Sequence, residues 1–273
     1  MAKRSIIQAL TSLVYNAHLA GFFTGSIWQG KSKGLCVPGL NCYSCPGALG
    51  ACPIGALQSS LAGTILRFPF YVLGMLILFG LLLGRRICGW FCPFGFLQDL
   101  LYKLPTPKYH KNNHTRLLSK AKYFLGLLFV IILPLAYYFV TGIGSPTFCK
   151  FICPAGTLEA GWTLPLLNAN LRSSLGVIFL WKSLVLVLIL TASIFVYRPF
   201  CRFLCPLGAW YGFFNKHALW NIKLEESKCI NCQACMKACL MDCQKVGDKE
   251  CISCGKCTTV CPTHAISFKK GEI

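Results

Sequence analysis

Acidic side chains are scarce in this chain. Of 273 residues only eight are Asp or Glu, against 27 Lys and Arg, and charged residues together make up 13%. Before Glu225 the only acids are Asp99 and Glu159. Soluble domains carry roughly a quarter charged residues, so the composition excludes an ordinary soluble enzyme as the whole of the chain. A phosphate-binding loop, a dinucleotide fingerprint and a nucleophile elbow are also absent, which removes the usual sequence signs of nucleotide, nicotinamide and serine-hydrolase chemistry. No output domain accompanies the cysteines described below, which argues against a redox sensor.

Apolar residues are abundant instead, at 55%. Four stretches, 5–28, 68–83, 123–140 and 175–197, approach the ~20 apolar residues that cross a bilayer. The first contains Gln8, Asn16 and His18, so an amphipathic surface helix is its alternative. No small-x-small cleavage site follows it, which argues against a signal peptide. Of the 20 bases before Glu225, 14 lie in the N-terminal tail, between Arg85 and Lys122, or from Arg198 onward, all on one face if the four spans hold. The opposite face carries Lys31, Lys33, Arg67, Lys150 and Arg172, and Lys182 sits within the fourth span. This asymmetry follows the positive-inside rule and predicts a multi-pass protein of the cytoplasmic (inner) membrane with both termini inside. The positive charge then orients the chain and meets lipid headgroups, and requires no nucleic acid.

Nineteen cysteines divide at about residue 221. Beyond it stand "CINCQACMKACLMDC" and "CISCGKCTTVCPTHAI", two runs of C-x2-C-x2-C-x3-C. Three thiolates of a 4Fe-4S cluster come from one such loop and the fourth from the other run. The spacing assigns Cys229, Cys232, Cys235 and Cys261 to one cluster, and Cys251, Cys254, Cys257 and Cys239 to a second. Leu240 replaces the usual proline after Cys239, and Cys243 follows four residues on, so either can be the ligand. A zinc ribbon has no use for three cysteines per loop. This segment, 221–273, resembles a bacterial two-cluster ferredoxin, a small α+β unit that depends on its metal for folding energy.

Residues 1–220 form the expected membrane domain, and within it a second motif repeats. "CPIGALQ" begins at Cys52, "CPFGFLQ" at Cys92, "CPAGTLE" at Cys153 and "CPLGAWY" at Cys205. The last three have another cysteine four residues earlier, at Cys88, Cys149 and Cys201, whereas near Cys52 stand Cys36, Cys42 and Cys45. Regular pairing with proline argues against inert buried thiols. A C-x3-C pair supplies two ligands, so two pairs must meet. Topology groups Cys88, Cys92, Cys201 and Cys205 in an inner cluster. Cys149 and Cys153 join two of Cys36, Cys42, Cys45 and Cys52, with Cys45 and Cys52 favoured, in an outer one. Leftover outer cysteines such as Cys36 are candidates for a disulfide. The fold expected is thus a mainly α membrane protein of about four transmembrane helices arranged as inverted halves. The segments 94–101 and 155–162 are expected to re-enter the membrane, with Gly55, Gly95, Gly156 and Gly208 permitting close packing.

The inner pairs in "RRICGWFCPFGFLQDLL" and "YRPFCRFLCPLGAW", with the terminal ferredoxin, resemble the NapH-type membrane polyferredoxins, related to the electron-transfer part of NosR-like proteins. The resemblance implies a subunit passing electrons between the quinone pool or a cytoplasmic donor and a partner reductase or flavoprotein. The cysteines at 36–52, 149 and 153 exceed the two-pair pattern of that family and suggest conduction across the membrane, from the ferredoxin clusters to the inner and then the outer centre. The competing reading is a quinone-reactive oxidoreductase working on one face, with His18 as a possible quinone or haem contact. His110 and His114 fall in a basic loop, Pro134 is expected to kink its span, and Lys182 to snorkel or face a cluster. Iron and acid-labile sulfide analysis should return about sixteen of each per chain; a result near twelve removes the outer centre.

Overall fold

The computed structural model describes residues 2–63, 68–173 and 175–270. Arg67, counted above among the outer bases, lies outside the described residues. The principal elements are α1 (Ala2–Tyr15), α2 (Pro53–Leu61), α3 (Phe70–Leu83), α4 (Arg86–Trp90), α5 (Pro93–Leu101), α6 (Asn113–Thr141), α7 (Thr147–Phe151), α8 (154–167), α9 (Val177–Phe195), α10 (Pro199–Phe203) and α11 (Pro206–Phe214). They are followed by β1 (Trp220–Leu224), α12 (Ala234–Ala238), α13 (Lys256–Thr259) and β2 (Ile266–Lys270). The two strands pair antiparallel with Ile222 opposite Phe268.

Proline sets the start of the helices that follow the cysteines. α2, α5, α8 and α11 each begin on the proline of a C-P step, with the preceding cysteine in extended conformation. Proline's fixed φ suits the first helical position, and its missing N–H would have had no partner there. The cysteine then acts as an N-cap. Sγ of Cys92, Cys153 and Cys205 accepts the amide N–H of Gly95, Gly156 and Gly208, each at 3.4 Å. A sulfur thereby takes the place of the usual capping oxygen.

Two helices, α6 with 29 residues and α9 with 19, are long and apolar enough to cross a membrane. They are poorly covered by the rest of the protein: Leu180, Leu184 and Leu188, on one face of α9, are 67%, 51% and 60% exposed. α1 and α3 are shorter than the expected spans, at 14 residues each, about 21 Å at 1.5 Å per residue. α1 stops because the next residues bond elsewhere. Asn16 Nδ2 donates to Ser12 O (3.1 Å) and Asn41 Oδ1 (2.9 Å), and His18 Nδ1 donates to Pro46 O (3.0 Å). His18 is therefore a tie to the 41–47 loop, packed on Trp28.

Pro134 does more than kink α6. It cannot donate to the preceding turn, and residues 127–132 open into a π turn. The carbonyl of Phe129 accepts two side-chain bonds instead, from Gln58 Nε2 (2.7 Å) and Thr147 Oγ1 (2.6 Å). The backbone defect thus joins α6 to α2 and α7.

Buried charge attaches the C-terminal segment. Glu250 pairs with Arg85 and Lys122, and Asp242 binds Arg202 through two bonds of 2.8 Å. Burial alone would raise the Glu250 pKa, but Arg85 and Lys122 hold it at about 2, so the carboxylate stays ionised. Neutral bonds support these pairs: Trp90 Nε1 donates to Ser253 O (2.8 Å) and Asn215 Nδ2 to Cys251 O (3.0 Å). Removing one member of a buried pair costs about 3–5 kcal/mol. Asp242→Ala should accordingly open the 225–270 segment to protease while α6 and α9 stay protected; equal protection of that segment in mutant and wild type would show that the pair does not hold it.

Candidate metal centres

Cys88 in α4 and Cys92 before α5 face Cys201 in α10 and Cys205 before α11. All four are buried and lie within electrostatic reach of one another. The two halves exchange arginines: Arg85, three residues before Cys88, donates from Nη2 to the carbonyl of Cys201 (3.2 Å), while Arg198, three before Cys201, donates from Nη1 to the carbonyl of Cys88. Arg198 adopts a positive φ of 49°. Gln98 completes the ring by donating to Cys201 Sγ (3.2 Å) and accepting the N–H of Phe200 (3.2 Å).

These residues suit an iron–sulfur centre on charge. Arg85 and Lys122 share one carboxylate, Glu250, and Arg198 and Arg4 share another, Asp99. Buried cations in excess of their counter-ions require a further anion, and thiolates around a cluster supply one. Arg85 Nε is moreover buried with no partner among the described residues, leaving one N–H for such a group.

A cavity of about 340 Å³ forms the second site. Cys42, Cys52, Cys149 and Cys153 line it, together with Lys182 and Phe148. Cys45 does not line this cavity, and Cys36 faces a neighbouring one beside Tyr71. The favoured pairing of Cys45 with Cys52 is thus not the one the cavity brings together; Cys42, whose backbone N–H Glu159 accepts, lines it instead. The structure joins none of the nineteen cysteines in a disulfide, Cys36 included. Among the described residues no three His, Cys, Asp or Glu side chains close to the spacing of a single-ion site.

One rule orders both quartets and was not read from the sequence. The residue six places after each C-P cysteine is polar and reaches across to a cysteine-bearing loop. Gln58 accepts the N–H of Cys149 (3.1 Å), Gln98 that of Phe200 beside Cys201, and Glu159 that of Cys42 (2.6 Å). Tyr211 donates its hydroxyl to Pro38 O (3.0 Å). The pattern was present in the four quoted heptapeptides, and the arginines three residues ahead of each inner pair in the two longer quoted stretches, but only tertiary contact gives them a shared role. The glycines of the repeat serve the same sites: a Cβ on Gly95 would meet the Cys88 carbonyl and Arg198, and one on Gly208 the Cys201 carbonyl.

The two quartets are close. Gly39 packs on the backbone of Cys92 so tightly that a Cβ would lie 2.9 Å from Phe91 O and 3.2 Å from Cys92 Cα. Cys42 is three residues further along, a reach of at most about 11 Å of extended chain. Tyr211, fully buried, lies within electrostatic reach of Cys88 on one side and Cys52 on the other.

In the terminal segment Cys239, Cys251, Cys254 and Cys257 come together, with Cys243 hydrogen-bonded between Cys239 and Cys251. Cys254 and Cys257 both sense Cys239. This group abuts the inner quartet, because Gly89 beside Cys88 leaves no room for a Cβ against Ile252 O. Cys229, Cys232 and Cys235 gather farther out, Cys232 being exposed. Cys261 bonds Thr263.

A family profile for a 4Fe-4S binding domain matches residues 64–112, 124–169 and 177–224, and a second 4Fe-4S profile matches 245–267. Among similar proteins, an uncharacterized protein of Methanocaldococcus jannaschii is 32% identical over 71% of this chain and 76% of its own length. The methylamine utilization ferredoxin-type protein MauN of Methylorubrum extorquens is 29% identical over 68% of this chain and 59% of its own. The ferredoxin-type protein NapH of Haemophilus influenzae is 27% identical over 71% of this chain and 66% of its own. No solved structure matches. The cavity makes one substitution pair decisive: Cys42→Ser should lower the iron content by about four per chain, the complement of one cluster, and Cys45→Ser should leave it unchanged, with the reverse outcome restoring Cys45 as a ligand.

Proposed function

Because this chain belongs to the NapH-type polyferredoxins, 4Fe-4S electron-transfer proteins, we propose that it relays electrons across a membrane between redox partners on its two sides. The observation that carries this reading is the short interval between the quartets, with Gly39 on Cys92 and Cys42 in the outer cavity. A hydrocarbon core is ~30 Å thick, and a relay across it needs its centres drawn inward, as these are. In this reading Cys88, Cys92, Cys201 and Cys205 hold the inner centre and Cys42, Cys52, Cys149 and Cys153 the outer one. Cys251, Cys254, Cys257 and Cys239 hold the terminal centre nearest the membrane, and Cys229, Cys232, Cys235 and Cys261 the distal one. Each bound cluster supplies one-electron redox chemistry, its potential set by surrounding charge and hydrogen bonds.

The helices support the topology. In chain order Cys149 and Cys153 stand between α6 and α9, and Cys201 and Cys205 follow α9. Arg4 of α1 bonds Gly89 O at the inner site, while Asn16 just beyond it bonds Asn41 by the outer loop. Tyr71 of α3 bonds the amide of Cys36, and α3 ends beside Arg85. We assign all four to the membrane, with 16–24 adding to the thickness that α1 lacks. The basic face with the terminal segment is then cytoplasmic. The exposed loop at Cys229–Cys235, with Ile230 at its tip, meets the soluble partner, and a reductase or flavoprotein takes the opposite side.

Cys149→Ser combined with Cys153→Ser should leave the other three centres reducible but stop electron delivery through a sealed vesicle, measured with a reductant outside and an impermeant acceptor inside. Normal delivery in that variant would confine the activity to one face.

A further inference from the structure

Clusters of one type differ in potential through net charge, hydrogen bonds to their sulfurs and solvent exposure. Both membrane quartets are enclosed, so charge and hydrogen bonding separate them. We propose that Arg85, Arg198 and Gln98 hold the inner centre at a more positive reduction potential than the outer one. The inference rests on the ligand assignment above.

At the inner site four buried cations, Arg4, Arg85, Lys122 and Arg198, share two carboxylates, Asp99 and Glu250, and leave positive charge in excess. Arg202 is neutralised separately by Asp242. The two exchanged arginines also withdraw electron density through the carbonyls of Cys88 and Cys201. The outer site lacks both arginines, since Pro146 occupies the place three residues before Cys149. Its charged neighbours are Lys182 and the carboxyl of Glu159, with Lys33 at the rim. Lys33 is half-exposed, tied to the Ala48 carbonyl at 2.9 Å and screened by solvent.

Hydrogen bonding separates the sites in the same direction. Gln98 gives its amide N–H to a cysteine sulfur. Gln58 stands at the equivalent position and accepts the N–H of Cys149 itself, but its own N–H goes to Phe129 O, the carbonyl left open beside Pro134. The proline in α6 therefore draws away the donor that would otherwise serve the outer sulfurs. A donor to sulfur stabilises the reduced, more negative state; backbone amides cap cysteine sulfurs at both sites, but the inner site adds a side-chain donor and the outer site's counterpart is diverted. An electron shared between the two centres consequently rests on the inner side, next to the terminal segment.

Potentiometric titration of the anaerobically purified full chain, followed by electron paramagnetic resonance, tests this. The Cys149→Ser/Cys153→Ser variant identifies the outer signal by its loss. In the wild type the outer signal should titrate at the more negative potential. Gln98→Glu keeps the acceptor for Phe200 but replaces the donor with a carboxylate, and should move the inner midpoint negative with iron content and outer midpoint unchanged. Gln98→Met removes the donor without adding charge and should move it the same way by less. An outer midpoint equal to or above the inner one in the wild type overturns the inference, as does an unmoved inner midpoint in fully loaded Gln98 variants. Full iron in the Cys149→Ser/Cys153→Ser variant would instead overturn the ligand assignment.

Discussion

Positive charge buried without enough negative charge around it is the constraint on which this structure turns. Arg85 and Arg198 are fully enclosed, and each has its backbone beside one cysteine pair and its guanidinium on the carbonyl of the other. Enclosing such groups costs several kcal/mol per ion unless geometry and counter-charge compensate. Glu250 and Asp99 provide part of the compensation, and each comes from a different part of the chain. Glu250 belongs to the terminal segment, whereas Asp99 lies on α5 and also holds Arg4 of α1. The arginines therefore join the N-terminal helix, both inner cysteine pairs and the ferredoxin-like segment in one electrostatic unit. An anionic cluster among the four thiolates fits the charge that remains, and couples loading of the site to the integrity of that unit.

Proline is used twice, in opposite ways. At the C-P steps its missing N–H falls where a helix has no partner for one, so the step begins a helix at no cost and presents the cysteine sulfur to the first-turn amides. In the middle of α6 the same deficiency leaves the Phe129 carbonyl to Gln58 and Thr147. Gln58 in turn secures the amide of Cys149. The defect in an exposed apolar helix thereby becomes a support for the outer cysteines, one that bonds within protein as non-helical backbone in a membrane must.

Rigid docking of the terminal segment has a functional consequence. A ferredoxin unit on a loose tether would meet the inner quartet only intermittently. Here Trp90, Asn215 and the Glu250 and Asp242 pairs hold Cys251 and its neighbours against α4, and Gly89 permits the closest approach. The trio at Cys229, Cys232 and Cys235, with Cys232 exposed, is left farther out, an arrangement with a fixed inner contact and an open outer one.

Cysteine spacing pointed to the cluster chemistry, because ligands to one centre in a tight loop must be near neighbours in the chain, and the order of the apolar spans, not the spacing, grouped Cys88 and Cys92 with Cys201 and Cys205. Apolar length likewise identified α6 and α9. Local rules did not reach further. Where α1 ends depends on Asn41 and Pro46, some 25 residues away, and not on the apolar run itself. Cys42 and Cys45 are equivalent by spacing, and it is Cys42, its backbone N–H accepted by the distant carboxylate of Glu159, that lines the outer cavity. The exchanged arginines and the polar residue six places after each cysteine were visible as letters, yet their roles exist only where two halves of the chain meet, since a hydrogen bond across 100 residues leaves no periodicity in the sequence to read.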